Sequence, residues 1–160
     1  MDVVTLNSKT YRLEKNKRVL AEIRFPSVWS QRAEAEVPSG ELEILSDSKW
    51  GSKYHYLLNE LDRGRFRTDM WSGKTLIEVI WAEDEKPTVY RLKSKWTGSR
   101  FTLLDEQERE LLIVRAKMNW RRLCYVFDLE WKQLIDEEKS VELAVYALHA
   151  AQVKIARQSG

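Results

Sequence analysis

Residues 18–25 set the pattern that most of the chain follows. Val19, Ala21, Ile23 and Phe25 share one face while Arg18, Glu22 and Arg24 lie mostly on the other, the period-2 alternation of a half-buried strand. Residues 11–14 precede them across the polar break Lys15, Asn16, Lys17, which predicts an opening hairpin. Residues 32–37, the turn Pro38, Ser39, Gly40 and residues 41–45 repeat the strand, turn, strand order. Residues 48–51 and 62–64 are turn signals, and residues 54–61 between them fit either a short strand or a helical turn. Alternation resumes over 65–71 and, after a turn at Ser72 and Gly73, over 75–82, with Thr75, Ile77, Val79 and Trp81 on one face. Past the acidic turn at Glu83, residues 89–96 set Tyr90, Leu92 and Trp96 against Arg91, Lys93 and Lys95. Three more runs, 99–104, 109–117 and 121–131, follow, the last with Leu123, Tyr125, Phe127, Leu129 and Trp131 on one face. About ten short strands at this spacing predict a mainly β sandwich or barrel.

The period changes at the end of the chain. Val141, Leu143, Ala144, Val145, Tyr146 and Ala147 begin an apolar stretch that runs to Val153, and a helix apolar almost all round must be covered on every side. Asp136, Glu137 and Glu138 precede it and Lys154 and Arg157 follow, each charge complementing the nearer end of the helix dipole. The predicted helix spans about residues 138–156, and a sheet curled around it is the most economical cover. Its apolar core is shorter than the roughly 20 residues that cross a bilayer, and Glu142, His149 and Gln152 interrupt it, so a core helix is expected and no transmembrane segment.

Composition narrows the function classes. The chain of 160 residues fits one domain over 1–160, and 27 basic against 25 acidic residues leave a net charge of +2, too little for a global attraction to nucleic acid or membrane. Any such attraction must come from a local patch. Cys124 stands alone, which excludes an internal disulfide framework and fits a buried thiol in a reducing compartment. The N-terminus has neither the basic start nor the apolar run of a secretory signal, so a cytoplasmic protein is expected. Seven Trp supply large apolar area suited to barrel interiors and rims.

The stretch Tyr11-Arg-Leu-Glu-Lys-Asn, the stretch from Lys95 to Gln107, the run Leu111-Leu-Ile-Val-Arg-Ala-Lys and the helix from Val141 together resemble the tubby C-terminal-like superfamily. That superfamily groups tubby domains, LURP-one-related proteins and phospholipid scramblases. The resemblance covers nearly the whole chain and implies a barrel of about ten to twelve antiparallel strands with the hydrophobic C-terminal helix through it or against it. It also implies a binding role, since tubby domains hold phosphoinositide headgroups. The proline-rich leader, cysteine-rich tract and calcium segment of scramblases are missing, so lipid scrambling is not expected.

The candidate chemistry is cationic. Arg63, Arg65 and Arg67 alternate along one strand and Arg91, Lys93 and Lys95 along another, so each trio is expected on one face, with Arg100 as a further member. If the strands lie near each other they form a surface for phosphate groups, with Trp71 and Trp96 as an interfacial edge. The competing expectation is a solvated face balanced by Glu78, Asp84 and Glu85; Arg121 and Arg122 fit either the patch or scattered solubility charges. Nucleic acid is disfavoured by the charge balance and by the lack of a recognition motif. No catalytic, metal or cofactor motif is visible; His149 within the helix reads as a buried structural residue. The expectation is a non-enzymatic module that binds anionic phospholipid headgroups, located in the cytoplasm or peripherally at a membrane. The alternatives are a calycin-like barrel holding a small apolar ligand inside and a protein-interaction domain.

Overall fold

The computed structural model describes residues 1–26, 32–47, 53–69, 71–95 and 98–158. The strands are β1 (Asp2–Asn7), β2 (Thr10–Lys15), β3 (Arg18–Arg24), β4 (Ala33–Val37), β5 (Gly40–Ser46) and β6 (Lys53–Leu58). They continue as β7 (Leu61–Thr68), β8 (Thr75–Val79), β9 (Thr88–Ser94), β10 (Arg100–Leu104), β11 (Glu110–Asn119) and β12 (Cys124–Trp131). Each pairs antiparallel with the next in strict sequence order, and the helix α1 (Glu137–Gln158) closes the chain. The sheet curls into a nearly closed barrel. Its first and last strands meet through side chains: Thr5 Oγ1 donates to the Tyr125 carbonyl at 3.2 Å, and Arg122 donates to the carbonyls of Thr5 and Leu6 at 3.2 and 2.7 Å. Arg122, expected either in the cationic patch or as a scattered charge, instead pins the seam between two strand edges.

The mainly β barrel with its closing helix agrees with the expected ten to twelve antiparallel strands, but local readings change. The N-terminal residues form β1, which the sequence reading passed over; of the stretch 54–61, open between strand and helical turn, residues 54–58 belong to β6, 59 and 60 form the turn and Leu61 opens β7, while the turn expected at 62–64 is strand. Leu123 lies in the turn before β12 with φ of 52° and is 73% exposed, so it does not share the face of Phe127.

Inside the barrel runs α1. Every residue from Ser140 to Ala151 is buried, more than three turns covered on all sides. Side chains reach it from around the wall: Tyr56 of β6 stacks on Tyr146 at 4.2 Å, and His149 lies among Phe25, Tyr54 and Phe66. Gln152 donates to the Tyr11 hydroxyl of β2 at 2.6 Å. Burial pushes the Tyr11 phenol up to about 12, with the Gln152 bond opposing it. The helix therefore fills the space in which the calycin-like alternative would hold a ligand. Outward positions of the strands carry charge, as with Arg12, Glu22, Glu34 and Glu43, the inverse of the apolar band on a membrane-spanning barrel. Among the described residues no helix is long and apolar enough to cross a membrane.

Candidate anion-binding site

The two cationic strands lie on either side of β8, as the patch requires, but the cations do not act together. Arg63 is the first departure. Tyr56 pairs with Gly64 and Leu57 with Asp62, so Arg63 is the extra residue of a β-bulge and leaves the alternation of Arg65 and Arg67. The bulge re-aims it at the helix, where its Nε and Nη2 donate to Glu142 Oε2 and Oε1 at 3.0 and 2.9 Å. Next to it Gly64 has φ of +150°, and a Cβ there would sit 2.0 Å from the Glu78 carbonyl oxygen, so only glycine fits.

Glu142 is 1% exposed and also accepts from Ser39 Oγ at 2.7 Å and from the Tyr146 hydroxyl at 2.9 Å. Burial pushes the Tyr146 phenol well up, and the neighbouring carboxylate adds to it. Burial alone would lower the Arg63 guanidinium, but Glu142 outweighs it and raises it. Arg63 and Lys139 both lie over the Trp81 ring, 5.1 and 5.3 Å from its centroid. This cluster is internally satisfied and offers a ligand nothing.

Arg65 and Arg67 do point outward, but both close on one carboxylate. Arg65 Nε lies 2.7 Å from Glu78 Oε2 and Arg67 Nη2 lies 3.1 Å from Oε1, and Glu78 is itself 7% exposed beneath them. Arg91 donates to Glu108 at 3.1 Å. Among the described residues Lys93, Lys95 and Arg100 have no carboxylate partner; Arg100 faces Arg115 across the ladder. Trp71 is exposed at the turn after β7, and Trp96 lies outside the described residues.

Lys93 belongs instead to a different group. Lys74 from the turn before β8, Arg91, Lys93 and Ser94 from β9 and Lys154 from the helix line a cleft of about 230 Å³, with Ser72 and Gly73 at its edge. That is room for several waters at about 30 Å³ each, hence for a phosphate group. No carboxylate lines it, Glu108 touching Arg91 from outside. Lys154 Nζ reaches Ser94 Oγ at 3.3 Å. Burial, then the nearby Arg157 charge, lowers the Lys154 ammonium below its ordinary value, the signature of a cation lacking an anion. Lys74 and Lys154 were invisible to strand alternation, one being a turn residue and the other read only as a dipole complement.

Other clefts differ in charge. One of about 530 Å³ beside β3 and the first turn of the helix is lined by Glu22, Glu36, Glu137 and Glu138 with Arg18. Another holds His55, whose Nε2 lies 2.7 Å from Asp62 and whose Nδ1 lies 3.4 Å from Asp47. Comparison with protein families, with curated proteins and with solved structures finds no match.

Proposed function

We propose that the protein is a non-enzymatic binding module for phosphate-bearing anions, with the cleft of Lys74, Arg91, Lys93 and Lys154 as its site. The observation that carries this is convergence: four cations from two turns or strands and a helix end border one carboxylate-free hollow, and one of them is partly stripped of water there. Ammonium groups act as point charges toward phosphate, while Arg91 can turn its fork to two oxygens once it releases Glu108. Lys95 and Arg100 stand outside the hollow and add field; Arg63, Arg65 and Arg67 leave the proposal, being held by Glu142 and Glu78. A phospholipid headgroup and a soluble phosphate ester share the required chemistry. The tubby-like assignment is supported by architecture alone, and a cytoplasmic location by the free thiol of Cys124.

The test is calorimetric titration with inositol hexakisphosphate at low salt. Lys93→Glu should weaken binding about tenfold or more while stability stays within about 0.5 kcal/mol, as for exposed sites away from the core. Equal loss in Arg65→Glu and none in Lys93→Glu would move the site to the β7 face and end this reading.

A further inference from the structure

The meander sorts the connections by end. Those after β1, β3, β5, β7, β9 and β11 return at the C-terminal end of α1, where Lys154 meets Ser94 of β9, and the others return at its N-terminal end, where Ser39 meets Glu142. Among the described residues exposed tryptophan is sorted the same way: Trp71 and Trp120, in the connections after β7 and β11, are 99% and 77% exposed. At the opposite end Trp81 and Trp131 are partly buried, and Trp81 donates to the Tyr90 hydroxyl at 3.1 Å.

Both exposed indoles stand on braced turns. Asp69 accepts from the Trp71 N–H at 3.0 Å and from Ser72 Oγ at 2.8 Å, and the Gly73 N–H donates to the Asp69 carbonyl at 2.8 Å. Asn119 Oδ1 accepts from the N–H groups of Arg121 and Arg122 at 3.1 and 3.3 Å, presenting Trp120 and the exposed Leu123. A rigid turn that holds an indole in water contributes nothing to the core. Single exposed apolar residues are ordinary, but here they share one end with Lys74, Lys93, Arg121 and Lys154. The exposed residues of the other end, Val19, Leu61 and Leu134, are aliphatic and lie among charges of both signs, Lys15, Lys17 and Arg18 as well as Glu60, Glu137 and Glu138.

We infer that the helix C-terminal end of the barrel docks end-on on an anionic lipid bilayer. Trp71, Trp120 and Leu123 enter the interfacial layer, which indoles favour, while the cations meet headgroup phosphates, each adding about fivefold. Leu123 distinguishes this from base stacking on single strands, where an aliphatic side chain has no partner. The inference rests on the phosphate reading of the cleft and adds the phase that presents the phosphate.

The experiment is co-sedimentation with vesicles of phosphatidylcholine, with and without phosphatidylserine, alongside titration of the same proteins with inositol hexakisphosphate and a single-stranded oligonucleotide. The parent should bind the anionic vesicles, Trp71→Ser/Trp120→Ser should lose about tenfold or more of that binding while keeping the soluble ligand, and Leu61→Ser/Leu134→Ser should match the parent. All four positions are exposed, and matching melting curves verify the folds. Unchanged vesicle binding in the tryptophan variant, or an equal loss in the opposite-end variant, overturns docking. A parent that binds inositol hexakisphosphate but no vesicle overturns docking and leaves the cleft; one that binds vesicles but not the soluble ligand removes the cleft alone. Oligonucleotide binding without vesicle binding overturns docking in favour of nucleic acid.

Discussion

Glu142 and Lys154 lie toward opposite ends of one helix, and both are partly or wholly withdrawn from water. Glu142 receives four hydrogen bonds, from Arg63, Ser39 and Tyr146, whereas Lys154 has one long contact to Ser94 and repulsion from Arg157. A buried charge with every acceptor site filled is part of the scaffold. One left without a counter-ion amid other cations is a place where an external anion would lower the energy. The helix dipole favours both arrangements, with Glu137 and Glu138 at its positive end and Lys154 and Arg157 at its negative end, so the dipole does not distinguish them. The surroundings do: turns of both charge signs and a satisfied ion pair at one end, basic turns and exposed indoles at the other. Near-neutral net charge conceals this separation, which follows from the order in which an up-and-down meander alternates its turns.

The largest effect breaks the element that joins the two ends. Leu148 is 2% exposed within the enclosed part of the helix. Leu148→Asp puts an unpaired carboxylate there, and urea unfolding should show a loss of about 4 kcal/mol or more. A soluble variant that melts within a degree of the parent would mean the helix is not enclosed, and the contrast between ends would lose its frame.

A smaller effect tests the contrast directly. Arg63→Leu leaves Glu142 buried without its counter-charge and should cost about 3–5 kcal/mol, while Arg63→Leu/Glu142→Leu recovers most of that. Lys154→Met removes a cation that burial already disfavours, so stability should hold or rise slightly. The comparison fails if Lys154→Met proves as damaging as Arg63→Leu, since both ends would then be scaffold.

These tests also mark where sequence was legible. Most of the strands and the apolar helix follow from hydrophobic periods, because alternation such as that of Ala33, Ala35 and Val37 in β4 is set by which face meets the core. β1 escaped because its residues Val3 and Val4 are adjacent and only half-buried, leaving no clean alternation. Arg63 was misplaced because one inserted residue shifts a strand's facing without altering its composition. Lys93 was legible from alternation, but its companions Lys74 and Lys154 come from a turn and a helix. Only the topology brings them to β9.

The smallest effect concerns pH. With its pKa lowered below 10.5 in the free protein, Lys154 should be raised again when an anion sits beside it. Affinity is then full below the free-state pKa and falls as pH climbs from that value toward the bound-state value. Lys74, Arg91 and Lys93 line the same space and the Arg157 charge acts on Lys154, and the probe must not titrate itself, so inositol hexasulfate is suitable. Between about pH 7.5 and 9, below the ordinary pKa of tyrosine near 10 and of lysine near 10.4, parent affinity should decline modestly. Lys154→Arg keeps its charge throughout and should stay flat. Parallel curves for the two proteins would show that Lys154 does not meet the anion, leaving the cleft to Lys74, Arg91 and Lys93 and reducing the contrast with Glu142 to a difference in hydrogen bonding.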